Sequence, residues 1–182
     1  MHELERRPKR IVVYGVTGSG KSTLAAQIAA RLGLPWHSVD DLTWETGWVQ
    51  VPVEVQRARI TAICEGPEWV LDSAYGSWRD VPMARADLVV GLDLPRLVSL
   101  GRLVRRTMGR LVRGTEICNG NRESLRDVLG PESIIRWHFR SFARKRRTMR
   151  GWLSDPAAPP VVLLRSRGAV RRWLDTLDRA AV

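Results

Sequence analysis

Residues 15–22 read Gly-Val-Thr-Gly-Ser-Gly-Lys-Ser, the pattern GxxxxGK[ST], and they follow directly on Arg10-Ile-Val-Val-Tyr14. Nothing else in the chain constrains its fold as strongly. A loop of this kind turns backbone N–H groups inward around phosphate oxygens, and it works only between a buried strand and the N-terminus of a helix. Both neighbours are present. The run at 10–14 is short and β-branched, as expected for a parallel strand buried on both faces. From Lys21 onward, Leu24, Ala25, Ile28, Ala29 and Leu32 recur at helical spacing until Gly33 ends the pattern. Gly15, Thr17, Gly18, Ser19, Gly20, Lys21, Ser22 and Thr23 are the candidate nucleotide-binding residues. Lys21 is placed to reach the β- and γ-phosphates and Ser22 to ligate Mg²⁺.

The remaining chain continues the alternation. Strands are expected at 36–39, 69–72, 88–92 and 161–164, and helices at 53–64 behind Pro52, from Pro95 to about 114, and at 169–180. A polar segment to about 121 and a basic helical region at 124–152 lie between the last two strands. Alternating strands and helices imply a parallel sheet covered on both faces, an α/β fold in one domain spanning 1–182. The stretch 102–152 is the candidate for an arginine-rich helical lid.

Charge is concentrated in that stretch. The chain carries 30 basic and 19 acidic residues, a formal net charge of +11, and residues 102–150 hold 14 of the basic residues against 4 acidic ones. Of the cations 27 are Arg and only Lys9, Lys21 and Lys145 are Lys. Arginine suits forked contacts with phosphate, so a nucleotide site, a nucleic-acid surface and an anionic lipid surface all fit the composition. No apolar run approaches a membrane span, and the basic N-terminus lacks the apolar stretch of a signal peptide. Cys64 and Cys118 match no paired metal-ligand spacing and are expected as free thiols in the cytoplasm. His37 and His138 likewise lack ligand spacing and are expected to be structural.

Three groups of side chains carry further chemistry. Asp72 ends a buried-looking strand, Trp69-Val-Leu-Asp72, where an open α/β sheet places its ligand crevice, and it is the candidate acid holding Mg²⁺ together with Ser22. Asp40 follows the second strand in the same sense, either as the base that takes a proton from an acceptor or as a group that orients it. On the long helix, Arg102, Arg106, Arg110 and Arg113 fall within about 80° of one another at 100° per residue, opposite Leu97, Leu100, Val104, Met108 and Leu111. Arg102 and Arg106 are the candidate pair for neutralising a transferring phosphoryl group. The later run Arg140, Arg144, Lys145, Arg146, Arg147 and Arg150 reads as solvated surface, with nucleic acid as its functional alternative. Trp44 and Trp48 bracket a glycine-containing loop suited either to stacking on a substrate or to packing.

With these motifs in place the chain resembles the adenylate kinase-like P-loop nucleoside and nucleotide kinases, including the family called DNA topology modulation proteins. The resemblance runs through GVTGSGKS, Ser38-Val-Asp-Asp-Leu-Thr-Trp44, Trp69-Val-Leu-Asp72 with Tyr75, Ala86-Asp-Leu-Val-Val90, Leu94-Pro95, Arg105-Arg106 and Leu164-Arg-Ser-Arg167. It implies a three-layer P-loop NTPase fold with a five-stranded parallel sheet in the order 2-3-1-4-5. It also implies ATP with Mg²⁺, a mobile arginine-bearing lid, and a contact to adenine near Arg165. Where adenylate kinases carry Asp-Gly-x-Pro-Arg, this chain has Asp72-Ser-Ala-Tyr-Gly76, so the acceptor stays open among a nucleotide, a nucleoside and a small hydroxylated metabolite. A nucleic-acid-associated P-loop ATPase using 102–150 is the alternative, although no zinc-ligand spacing or RNP-like aromatic pattern accompanies the charge. A regulatory GTPase lacks its Asn-Lys-x-Asp motif. A monomer and a homodimer are both compatible with the sequence.

Overall fold

The centre of the molecule is a sheet whose first strand, β1 (Arg10–Gly15), is buried along nearly its whole length. A computed structural model describes residues 7–122, 130 and 133–179. After β1 come α1 (Lys21–Leu32), β2 (Trp36–His37), α2 (Val39–Thr43), β3 (Trp44–Glu45), β4 (Val49–Gln50), α3 (Val53–Glu65) and β5 (Trp69–Leu71). The second half runs α4 (Asp80–Met83), β6 (Leu88–Leu92), α5 (Arg96–Arg113), β7 (Glu116–Ile117), β8 (Asn121–Arg122), α6 (Ile134–Gly151), β9 (Val161–Leu164) and α7 (Arg167–Arg179).

The main sheet is parallel in the order β2-β5-β1-β6-β9, which is 2-3-1-4-5 when only its own five strands are counted. Successive side chains of a strand point to opposite faces, and β1 shows what this does. Ile11 and Val13 pack with Leu24, Ala25 and Ile28 of α1 and Leu174 and Leu177 of α7. Val12 and Tyr14 pack on the other face with Ile60 and Cys64 of α3, Trp78, and Met149 of α6. Three layers result, and the carboxyl ends of the strands open on one side. Among the described residues no helix is long and apolar enough to cross a membrane.

Four local expectations change. The strand expected at 36–39 stops after His37, because Ser38 Oγ accepts the Asp41 N–H at 3.4 Å and starts α2; an N-cap followed by acids in the first turn outweighs the β-branched Val39. The polar segment before 121 forms a hairpin, β7–β8, whose turn takes positive φ at Cys118, Asn119 and Gly120. The basic helix starts at Ile134, where Ser133 Oγ accepts the Arg136 N–H at 3.2 Å; residues 124–129, 131 and 132 of the expected span lie outside the described residues, as does 180. Lastly, α5 does not bury its apolar side: Leu97 is 81% exposed and Met108 49%, whereas Ser99, Leu103 and Thr107 are buried.

Candidate active site

Packing on the phosphate loop explains that unexpected row on α5. Gly18 has φ 78°, a conformation L side chains rarely adopt, and a Cβ there would run into the Ser99 carbonyl oxygen and come within 2.8 Å of Leu103 Cβ. The loop and α5 therefore touch backbone to backbone, which small or short residues on α5 permit. Gly20, φ 96°, is the N-cap of α1 and turns the chain into the helix. Ser19 Oγ is buried without a hydrogen-bond partner among the described residues, an orphan polar atom on the wall of a phosphate-sized cradle.

Lys21 stands at the start of α1 with its Nζ 3.3 Å from the Val16 carbonyl. Burial pulls its pKa down, and the charges of Asp40 and Asp72 work against that pull while Arg106 adds to it. Asp72 follows β5 directly and accepts the Val39 N–H at 2.8 Å. Burial raises its pKa although the Ser22 hydroxyl and the Val39 N–H both donate to it. Ser22 and Asp72 thus present two hard oxygen donors side by side next to the cradle, a donor set that fits Mg²⁺ completed by phosphate oxygens and water.

Asp40 lies in the first turn of α2 and accepts a hydrogen bond from the Tyr75 hydroxyl at 2.7 Å. Tyr75 is itself held by stacking on Trp78, centroids 5.4 Å apart, and the Trp78 indole N–H donates to the buried Gln56 at 3.0 Å. The Asp40 carboxylate is oriented from behind by a chain that reaches the core.

These groups line one cleft of about 1950 Å³. A single small-molecule site occupies roughly 300–1,000 Å³, so there is room for two ligands. Arg102 and Arg106 both line it, in different surroundings. Arg102 Nη1 donates to the Ser19 carbonyl at 2.9 Å, and burial with the nearby Arg167 and Arg105 lowers its pKa. Arg106 is close enough to act on Lys21 electrostatically. Arg165 is turned toward Asp93, 3.7 Å away, and does not line the cleft, whereas Arg167, two residues on, does.

The basic run on α6 is divided. Asp93, just after β6, has a fully buried side chain and takes Arg146 at 2.7 Å and Arg150 at 2.8 Å. Arg140, Arg144 and Lys145 line the cleft. Arg140, Arg144 and Arg150 are exposed, as expected of a solvated face, but Arg146 and Arg150 also share a buried carboxylate that periodicity along the helix does not reveal. His138 is buried with Nε2 2.9 Å from Ser99 Oγ, at the seam of α5 and α6.

Two hairpins meet over the same cleft. From β7–β8, Asn119 Nδ2 donates to the carbonyls of Asp41 at 2.9 Å and Trp44 at 2.7 Å, and Asn121 Nδ2 donates to Glu45 O at 2.9 Å. From β3–β4, Trp48 N–H donates to Asn121 Oδ1 and Thr46 Oγ1 to the Asn119 carbonyl, both at 2.8 Å. Trp44 and Trp48 contact each other edge to face at 6.1 Å and both line the cleft.

Solved structures share the fold across nearly the whole chain. A gluconokinase from Sinorhizobium meliloti 1021 superposes with a TM-score of 0.52 at 23% identity, covering 97% of this chain and 95% of its own. A shikimate kinase from Acinetobacter baumannii in complex with shikimate gives 0.54 at 18% identity, over 95% and 92%. A shikimate kinase from Bacteroides thetaiotaomicron gives 0.56 at 16%, over 96% and 99%. The fold is that of the P-loop kinases. No protein-family model matches the chain, and no curated protein matches it in sequence. The P-loop kinase fold agrees with the sheet order and layers that the resemblance implied. Sequence reasoning missed Lys145, Tyr75 as the partner of Asp40, and the Asn119–Asn121 clasp. Only the clasp left a local signal, in Cys-Asn-Gly-Asn at a turn.

Proposed function

We propose that this protein is an ATP-dependent kinase that transfers the γ-phosphoryl group to a hydroxyl of a small metabolite in the cytoplasm. The observation carrying this reading is a pair of carboxylates that both act on Lys21: Asp72, hydrogen-bonded with Ser22, and Asp40, held by Tyr75. A phosphate acceptor needs mainly cations, whereas a hydroxyl acceptor needs a carboxylate beside the attacking oxygen.

In this scheme the loop amides and Lys21 hold the β- and γ-phosphates, and Arg102 braces the loop through the Ser19 carbonyl. Asp40 receives the hydroxyl proton as the acceptor oxygen bonds to the γ-phosphorus and the bridge to the β-phosphate breaks. Lys21 and Arg106 stabilise the charge spread over the transferring group, and ADP leaves. Ser22 and Asp72 would hold Mg²⁺, which supplies charge neutralisation on the phosphates. The alternative, a nucleic-acid-associated ATPase, draws less support because much of the basic run on α6 faces Asp93 or the cleft. A lid over 102–152 closing through the two hairpins completes the proposal.

The test is a transfer screen with ATP and Mg²⁺ against sugars, polyols and their acids, nucleosides and nucleoside monophosphates. Wild type is expected to phosphorylate a hydroxyl compound, with Lys21→Ala and Asp40→Asn losing transfer by a factor of about a hundred or more. Transfer that survives Lys21→Ala in full, or hydrolysis of ATP stimulated only by nucleic acid, defeats the kinase reading.

A further inference from the structure

Lys145 makes no hydrogen bond and no ion pair with any described residue. Its ammonium lies 5.9 Å from the centroid of the Tyr14 ring and projects into the cleft. The charged groups that act on it are Lys21 from α1, Asp40 from α2 and Arg144 from its own helix. It therefore lies within electrostatic reach of both Asp40 and the phosphate-loop Lys21. Arg102, by contrast, has Arg105 and Arg167 for neighbours. The cations of α5 and α7 gather round Arg102 at the Ser19 carbonyl, whereas Lys145 reaches the cleft from α6, beside Lys21 and Asp40.

An amine placed here is costly to the protein by itself. Burial and the repulsion of Lys21 lower its pKa to about 7, and Asp40 recovers only part of the shift. The adjacent Arg146 and Arg150 were given a buried carboxylate of their own; Lys145 was not. An anion would complete it. The charge of the whole cleft points the same way. Among its described lining residues there are twelve Lys and Arg against four Asp, a surplus of eight positive charges. A cleft in which cations outnumber acids draws ligands of negative charge.

We infer that the acceptor is an acidic hydroxy compound: its hydroxyl is presented to Asp40, and a carboxylate or phosphate elsewhere on the same molecule is received by the Lys145 ammonium. This rests on the kinase reading for the hydroxyl half and on the geometry of Lys145 for the anionic half. It narrows the three acceptor classes left open by the sequence to those carrying an oxyanion.

Only three lysines occur in the chain, Lys9, Lys21 and Lys145, so protein labelled with ¹³C at lysine Cε gives three signals. Lys145→Arg assigns the relevant one. The protein is saturated with Mg²⁺ and a non-hydrolysable ATP analogue, then titrated with two matched series: glucose, gluconate and glucose 6-phosphate; glycerol, glycerate and glycerol 3-phosphate. An acidic member is expected to raise the Lys145 titration midpoint by one pH unit or more, and its neutral parent to leave it in place. The carboxylate and phosphate arms tell which oxyanion is preferred. In the transfer assay Lys145→Met raises the KM of the acid at least tenfold with little change in the KM of ATP, and Lys145→Arg restores it. Because the free amine deprotonates above about pH 7, the wild-type KM for the acid climbs between pH 7 and 9, approaching tenfold per unit, while the Arg variant stays flat.

Failure of either half is visible separately. If no acid in the two series moves the Lys145 signal, or if a neutral member is phosphorylated as efficiently as its acids and ignores Lys145→Met, the anion site is overturned while the kinase stands. If an acid moves the signal and nothing is ever phosphorylated, the anion site is upheld and the kinase reading falls.

Discussion

The helices α5 and α6 are both 18 residues long, both rich in arginine and both without a single acid, yet their cations do different work. On α5 the Ser99 carbonyl and Leu103 press against the phosphate loop, so Arg102 is carried to the Ser19 carbonyl and Arg106 to the wall of the cleft. On α6 the C-terminal half passes the end of β6, where Asp93 is waiting, and Arg146 and Arg150 become part of the framework. What an arginine does is decided by the group its helix is packed beside. A count of charge along the chain does not contain that information.

The comparison can be broken at three points. The largest effect is expected from Gly18→Ala, which drives a methyl group into the Ser99 carbonyl and Leu103 at a positive φ. It should separate α5 from the loop, costing about 3 kcal/mol or more in stability and abolishing tight nucleotide binding; denaturant unfolding and titration with an ATP analogue measure both. Ordinary stability with intact binding would mean that α5 does not rest on the loop.

A second expected effect is kinetic. Arg106→Lys keeps the charge but loses the guanidinium fork, and kcat should fall by a factor of about a hundred, or ~2.7 kcal/mol, with little change in the KM of ATP. Arg113→Lys at the exposed end of the same helix should leave turnover within twofold. Equal rates for wild type and Arg106→Lys would move Arg106 to the surface class.

The smallest of the three effects concerns α6. Asp93→Asn leaves Arg146 and Arg150 without their carboxylate; because both guanidinium groups remain partly in water, with 37% and 47% of their side chains exposed, the loss should be about 1.5–2 kcal/mol. Thermal unfolding reads it directly. A loss no larger than that of a surface substitution, ~0.5 kcal/mol, would show that Asp93 does not anchor the helix.

Much of the donor side was legible in the sequence, because its function resides in the backbone. GVTGSGKS specifies a loop, and the β-branched run before it and the apolar spacing after it specify the strand and the helix that hold that loop. Asp72 was legible for the same reason: it ends a strand whose neighbours fix its place. Lys145 was not, since its neighbours in sequence are also cations and only the packing of Met149 against Val12 and Val89 turns that side of α6 inward. Nor was the exposed apolar stripe of α5. Periodicity assigned its hydrophobic side to the interior, whereas the helix is buried along Ser99, Leu103 and Thr107, with the Ser99 carbonyl and Leu103 against Gly18.

The clasp between the two hairpins has a further consequence for how substrate choice could change. Of its five hydrogen bonds, four meet main-chain atoms of the 41–48 segment: the carbonyls of Asp41, Trp44 and Glu45 and the N–H of Trp48. Thr46 contributes its side-chain hydroxyl from that side. The join between the hairpins thus depends mainly on the shape of the 41–48 loop and less on its side chains. The side chains of Asp41, Trp44 and Glu45 can be exchanged while Asn119 and Asn121 still find the peptide groups they grip. The fastening and the selectivity of this cleft are separately inheritable.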